Sequence, residues 1–263
     1  MIVAIVILGL CFGSFINAFV WRLHEKQDWV KGRSKCTKCN HELSAIDLIP
    51  LLSWLLLGGR CRYCHKKISI QYPIVELLTS IIFLLSYIYW PVPLAGQAVA
   101  VYILWLFVVT GLIALSIYDI RWMLLPSRII YALYPFALFM AVINIFSAAN
   151  HAGVMIGYVE ATIIGGCIFY VLLQVSRGKW IGGGDVRLGF LLGLVAATAL
   201  KSFLIIFIAS LIGSLVSFYF LSSKKLKRNS LIPFGPFLIV ATIIVQLAGA
   251  DIIHWYTRTF LGY

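Results

Sequence analysis

The chain has 263 residues, of which 62% are hydrophobic and 11% charged. Soluble domains carry roughly 45–50% apolar and about 25% charged residues, so no soluble surface can be built here, and a disordered, fibrous or small disulfide-bonded chain is excluded as well. The net charge of +12 would suit a nucleic-acid binder, but the basic residues fall in short segments between apolar runs, as in cytoplasm-facing loops, and no nucleic-acid partner is expected.

A transmembrane helix needs about 20 mostly apolar residues. In chain order the sequence predicts eight such spans: 1–21, 72–90, 97–118, 128–147, 154–175, 187–200, 202–221 and 231–249. The sixth is short and reads as a tilted or incomplete span. The first has no basic stretch before its apolar run, and Arg22 follows it. It therefore reads as a retained helix with the N-terminus outside and residues 22–71 inside.

The alternation that follows puts 19 of the 21 Lys and Arg inside. Ten lie in residues 22–71. Arg121 and Arg128 lie between the third and fourth spans, Arg177, Lys179 and Arg187 between the fifth and sixth, and Lys224, Lys225, Lys227 and Arg228 between the seventh and eighth. Only Lys201 and Arg258 remain outside. Dropping one span would scramble this distribution. The expected fold is an all-α polytopic membrane protein of about eight transmembrane helices with both termini outside. It divides into a first helix (1–21), a small cytoplasmic domain (22–71) and a membrane domain (72–263).

The cytoplasmic segment contains Cys36-Thr37-Lys38-Cys39 and Cys61-Arg62-Tyr63-Cys64. Two CxxC pairs 21 residues apart fit a four-thiolate tetrahedral zinc site. Fifty polar residues bury little core, and a structural zinc supplies the missing folding energy. Disulfides or redox motifs are the alternative, disfavoured in a reducing compartment. His41 and His65 stand beside the pairs, as bystanders or substitute ligands. Cys11 and Cys167 lie alone in apolar spans and read as packing residues.

Ionisable groups in spans are costly, so the acids near the membrane each need an account. Asp119 ends the third span. Asp185 follows Gly182-Gly183-Gly184 at the start of the sixth. Both fall at the cytoplasmic edge of the bilayer. Two carboxylates from different helices at one depth can form an aspartic-protease pair, one ionised to activate water and one protonated to polarise the scissile carbonyl. The glycines would allow positive φ and close approach of an extended peptide. The structural alternatives are an Asp119–Arg121 pair and Asp185 as a cap of the sixth helix. Glu76, near the start of the second span, has two readings: an interfacial acid paired with Lys66 or Lys67, or an accessory group of the site. Glu160 reads as a packing or interfacial acid.

Gly182-Gly183-Gly184-Asp185 matches the GxGD signature of membrane aspartic proteases, and the rest of the chain resembles the type IV prepilin peptidases among them. Gly13-Ser14-Phe15-Ile16-Asn17 with Trp21-Arg22-Leu23 resembles that family's first-span signature. Asp47-Leu48-Ile49-Pro50, Ser53-Trp54-Leu55, Gly59-Arg60-Cys61-Arg62 and Tyr72-Pro73-Ile74-Val75-Glu76 resemble its cysteine-domain signature. Asp119 with Leu125-Pro126 resembles its first-aspartate motif, and Pro233-Phe234-Gly235-Pro236 its last-span motif. The likeness runs from about residue 9 to residue 240. Two departures stand out: Ser127 where the family usually has Asp or Asn, and Arg187 where Lys is common.

The resemblance implies an aspartic endopeptidase of the bacterial inner membrane, with residues 72–263 as its peptidase domain and Asp119 and Asp185 as its catalytic residues. It implies cleavage of the short basic leader of type IV prepilins and pseudopilins on the cytoplasmic side, after a Gly. It also implies methylation of the new N-terminus with S-adenosylmethionine in many members. Residues 22–71 carry a net charge of +6, which would repel a basic leader, so anionic lipid is the expected common partner of enzyme and substrate. Two rivals are a zinc-stabilised channel or transporter using Asp119 and Asp185 as ion or proton ligands, and a presenilin-like protease.

Overall fold

Each long apolar run becomes a helix, because backbone N–H and C=O groups in lipid must be satisfied within the chain itself. A computed structural model describes residues 1–28, 32–223 and 232–262. Lys31 and the basic group Lys224, Lys225, Lys227 and Arg228 lie outside the described residues. In chain order the helices are α1 (Ile2–His24), α2 (Leu52–Leu56), α3 (Gln71–Ile88), α4 (Gln97–Trp122), α5 (Ser127–Ser147), α6 (His151–Ser176), α7 (Gly183–Ala196), α8 (Ala199–Ser222) and α9 (Gly235–Tyr256). Among the described residues, all of these helices except α2 and α7, seven in number, are long and apolar enough to cross a membrane. This is a multi-pass, all-α membrane protein. The helices fall into two units, Met1–Tyr89 and Trp90–Tyr263.

The sixth predicted span is α7, and it is shorter than the rest. Its 14 residues reach about 21 Å, against about 30 Å of hydrocarbon. It starts four residues before the predicted boundary and stops at Ala197, whose φ is +67°. Thr198 then caps α8 by accepting from the Lys201 N–H at 3.4 Å. A glycine seam holds α7 antiparallel against α6: a Cβ on Gly193 would stand 2.3 Å from the Ala161 carbonyl oxygen, and one on Gly189 would stand 2.4 Å from that of Gly165. Ala197 reaches Gly157 near the start of α6. A short helix can thus run along most of a long one when small residues let their backbones touch.

In this second unit α4 is central. Of its apolar window 61% is buried, against 17–39% for α5, α6, α8 and α9, and Trp105, Leu112 and Leu115 are fully enclosed. The last helix runs seven residues beyond the predicted end at 249, carrying Asp251 on an exposed face.

In the first unit α1 and α3 pack antiparallel. The Ser80 hydroxyl donates to the Val6 carbonyl at 3.0 Å and the Asn17 amide to the Tyr72 carbonyl at 3.1 Å. Gly9 and Gly13 make this approach possible, since a Cβ on either would lie 2.5 Å from the Cα of Ser80 or Glu76. The segment between them has no extended strand among its described residues and is built from turns. One is a 3-10 turn over Ala45–Leu48, another is α2, and two are cysteine loops, each closed by an isolated bridge, Lys35 with Glu42 and Arg60 with Lys67.

Candidate active site and metal centre

Asp119 sits in the last turn of α4, which ends when Met123 turns left-handed (φ 52°) and its N–H bonds the Asp119 carbonyl at 2.8 Å. The side chain is 5% exposed. Its Oδ2 accepts from the Gly235 N–H at 3.2 Å, at the start of α9. The expected alternative of an Asp119–Arg121 pair is not what forms: the Arg121 guanidinium lies over the Trp122 ring, 5.5 Å from its centroid.

Asp185 sits in the first turn of α7, and its Oδ2 accepts from the Gly182 N–H at 3.2 Å. It does cap its helix, by reaching back to the backbone that precedes it. Capping uses one oxygen and orients the other. Leu125 joins the two acids. A Cβ on Gly184 would stand 2.9 Å from the Leu125 Cβ, and one on Gly235 would stand 3.3 Å from its Cδ2 and 2.6 Å from Asp119 Oδ2. The two acids, 66 residues apart in sequence, are brought to one end of the unit, linked through Leu125.

The glycines serve this site differently from the expectation. Gly182 has φ −83°, and neither Gly183 nor Gly184 has positive φ. Gly184 is needed because Leu125 fills the space a side chain would take, whereas a Cβ on Gly183 would meet nothing within 4 Å. Ser127 and Arg187, the two departures noted above, touch each other: the guanidinium donates to the hydroxyl. Tyr134 adds a bond from its hydroxyl to the Arg187 carbonyl at 3.1 Å.

In the first unit the four sulfurs of Cys36, Cys39, Cys61 and Cys64 lie within 4.8 Å of one another, and those of Cys36 and Cys64 are 3.9 Å apart. A tetrahedral zinc with four thiolates sets sulfurs about 3.8 Å apart, so the donor set fits such an ion; bonded disulfide sulfurs would be about 2 Å apart. The two loops repeat one turn. Cys36 and Cys61 each donate backbone N–H to the carbonyl five residues on (His41, 2.9 Å; Lys66, 3.0 Å), and Asn40 and His65 close each turn at positive φ. Burial raises the Cys36 thiol, but the backbone N–H groups of Lys38 and Cys39 outweigh it and bring it to about 7. His41 stacks on Tyr63, with ring centroids 3.7 Å apart, and neither His41 nor His65 joins the cluster.

Residues 7–90 match the bacterial peptidase A24 N-terminal domain and residues 106–218 match the type IV leader peptidase family. The chain is 33% identical to the prepilin leader peptidase/N-methyltransferase of Xanthomonas campestris, in an alignment covering 95% of this chain and 92% of that protein. It is 30% identical to the protein of that name from Pseudomonas aeruginosa, over 98% of this chain and 92% of that one. For the Bacillus subtilis protein of the same name the identity is 29%, over 97% and 98%. No solved structure matches the chain. The chain belongs to the type IV leader peptidase family.

Three residues of this leader-peptidase family member escaped the sequence reading as parts of a site. Gly235, noted only within a motif, supplies the N–H that holds Asp119; the Pro236 after it was the available signal, since proline suits the first turn of a helix. Asp47 accepts from Arg62 Nε (2.6 Å), the Ser44 hydroxyl (2.7 Å) and N–H (3.1 Å), and the Tyr63 hydroxyl (3.2 Å). Leu51 is the third. Its N–H donates to Glu76 Oε2 at 2.7 Å, at the centre of a tight turn with φ 61° and ψ −50°. Glu76 is 6% exposed and also takes the Ser14 hydroxyl. It is held by Leu51 and Ser14, and not by the Lys66 or Lys67 of one of its two readings.

Proposed function

We propose that this leader-peptidase family member is an aspartic endopeptidase that cuts the basic leader from type IV prepilins and related pseudopilins, with Asp119 and Asp185 as its catalytic pair. The observation that carries the reading is the meeting of Asp119, Leu125, Gly184 and Gly235 beside Asp185. Two carboxyls that converge on one substrate would share a proton. The ionised one takes a proton from water as the water attacks the scissile carbonyl, and the protonated one donates to the carbonyl oxygen. The tetrahedral species then collapses and the new amine leaves as it gains a proton. Gly235 and Gly182 hold one oxygen of each carboxyl in place, which aims the other oxygens at water and substrate. The channel reading has no support from the family or from the curated relatives.

In this proposal α7, which runs back along α6 as far as Gly157, counts as a short eighth crossing, so the protein lies in the bacterial inner membrane with both termini outside and the site at the cytoplasmic face, the arrangement that the distribution of Lys and Arg favours. Zinc, held by Cys36, Cys39, Cys61 and Cys64, would add folding energy to residues 22–71, and four thiolates leave no open position for water. Methyl transfer is the second activity in the relatives' names, and S-adenosylmethionine would supply the methyl group. In the first unit Glu76 already accepts from Leu51 and Ser14, and Asp47 from Arg62, Ser44 and Tyr63. No step is assigned to that cofactor.

The decisive experiment incubates purified protein in liposomes with a panel of prepilins and reads product N-termini by mass spectrometry, which also records any methyl group. Cleavage after Gly is expected from the wild type. Asp119→Asn and Asp185→Asn, correctly inserted, should each lose at least about 100-fold. Substantial cleavage by either variant would sink the mechanism.

A further inference from the structure

The first unit exposes a run of large aliphatic side chains that its own packing does not use. Ile46 is 63% exposed, Leu52 and Leu55 56% each and Leu56 84%, with Leu48 and Ile49 also open. All but Ile49, which follows the 3-10 turn, belong to that turn and to α2. The charged side chain embedded among them is turned away: Asp47 has a carboxyl only 4% exposed, tied to Arg62 and Tyr63 of the second cysteine loop. Trp54 also faces inward, so close to Gly59 that a Cβ there would stand 2.8 Å from its ring. The segment therefore has one face fastened to the cysteine loops and one aliphatic face.

The depth of that face follows from α3. This helix has 18 residues, about 27 Å, so it spans about 30 Å of hydrocarbon only if its first turn already lies at the membrane boundary. Glu76 is its sixth residue, about 8 Å further in. The Leu51 N–H is bonded to that carboxylate. A segment hydrogen-bonded a turn and a half inside a spanning helix cannot stand off in water. At the start of α3, Ile70 just before it and Ile74 within it are likewise 63% and 48% exposed. Arg60, Lys66 and Lys67, all exposed, follow on the next loop.

We infer that residues 45–57 are an interfacial anchor, with the aliphatic side chains of the 3-10 turn and α2 set among the acyl chains of an anionic phospholipid bilayer and Arg60, Lys66 and Lys67 at its headgroups. Amphipathic segments bind bilayers in this way, through apolar burial joined to attraction for anionic lipid. The Glu76 carboxylate is then a depth stop: it fixes how far the cysteine domain sinks and holds its loops at the surface. The inference needs only that α1 and α3 span a membrane, and it stands apart from the peptidase reading.

The test uses the full-length, zinc-loaded chain in vesicles of phosphatidylethanolamine and phosphatidylglycerol, with and without a prepilin. A photo-crosslinking benzophenone amino acid replaces Leu56 in one variant, Leu52 in a second, and the exposed Lys38 of the first cysteine loop in a third. The expected result is a lipid adduct as the main product at Leu56 and Leu52, unchanged by prepilin, and at least several-fold less lipid adduct at Lys38. Adducts at Leu56 and Leu52 to prepilin, to a second copy or to another segment of the same chain in place of lipid would overturn the inference. So would equal lipid labelling at all three positions, or no adduct at all.

Discussion

The cysteine cluster and the carboxylate pair are both places where four or five residues converge, but the chain makes them by opposite means. Each cysteine loop closes on itself within a few residues, through the Cys36–His41 and Cys61–Lys66 backbone bonds. The carboxylate pair has no local cause. It exists because α4 ends at Trp122, α7 begins at Gly183 and α9 begins at Gly235 at the same end of one bundle. Local turns tolerate disturbance elsewhere. A site built from helix ends fails whenever one end moves.

The largest expected effect breaks the bundle-built site at its least obvious member. In Gly235→Ala the new Cβ would stand 2.6 Å from Asp119 Oδ2, so either the carboxyl or the start of α9 must shift. A displacement of about 1 Å at a reacting group costs on the order of 100-fold in rate. Prepilin cleavage should fall by that much while Tm in detergent changes little. Unimpaired cleavage would show that Gly235 does not position Asp119.

Next comes the locally built site. Replacing Cys36, Cys39, Cys61 and Cys64 with Ser should abolish the single equivalent of zinc found by metal analysis of the wild type. The same variant should make residues 22–71 an early target of trypsin, with cleavage per folded molecule reduced far less than in Gly235→Ala. A wild type without zinc after gentle purification would contradict the assignment. Equal loss of peptidase activity in both variants would mean that the two sites are not separable.

A sharper contrast comes from two adjacent glycines. Gly184→Ala puts a Cβ 2.9 Å from that of Leu125, whereas Gly183→Ala meets nothing within 4 Å. Overpacking of this kind costs about 1–3 kcal/mol. Gly184→Ala should lower both Tm and cleavage, and Gly183→Ala should leave cleavage near wild type. Equal effects would restore the idea that the loop serves through backbone freedom.

This difference in construction also sets what could be read from the sequence. The CxxC spacing encodes a whole site, so all four thiols were legible, as were the eight apolar runs. Asp119 and Asp185 were legible as acids at the ends of apolar spans, Asp185 through the GxGD motif and Asp119 through its resemblance to a separate motif with Leu125-Pro126. The Gly235 contact was not, because a backbone N–H carries no residue signature and its partner is 116 positions away. The early end of α7 depends on a left-handed Ala197, a conformation alanine sequences do not advertise. Glycine at 184 was anticipated for positive φ and close approach of a peptide; its φ is not positive, and the constraint the fold itself adds is the Leu125 side chain, invisible until helices are packed. Glu76 was noticed for its charge, while its partner is the N–H of a leucine, which no charge pattern could reveal.

The smallest effect concerns the join between the cysteine loops and the aliphatic segment. Burial raises the Asp47 carboxyl, but Arg62, Ser44 and Tyr63 outweigh it and hold it down at about 2, against about 3.9 for a free aspartate. A carboxyl depressed in the folded state contributes stability that is complete above about pH 4 and is lost as pH falls towards 2. Asp47→Asn keeps the shape and removes the charge. Its cost at neutral pH should be about 1–2 kcal/mol, that of hydrogen bonds to a charged acceptor discounted for a half-exposed Arg62. Because Asp47 is ionised throughout, the stability gap between wild type and variant should stay flat from pH 6 to pH 8, where zinc remains bound. Chemical denaturation with protection of residues 45–57 from protease as the readout measures that gap. A gap that changes with pH in this window would mean that another titrating group, and not the Asp47–Arg62 pair, fastens the segment to its loops.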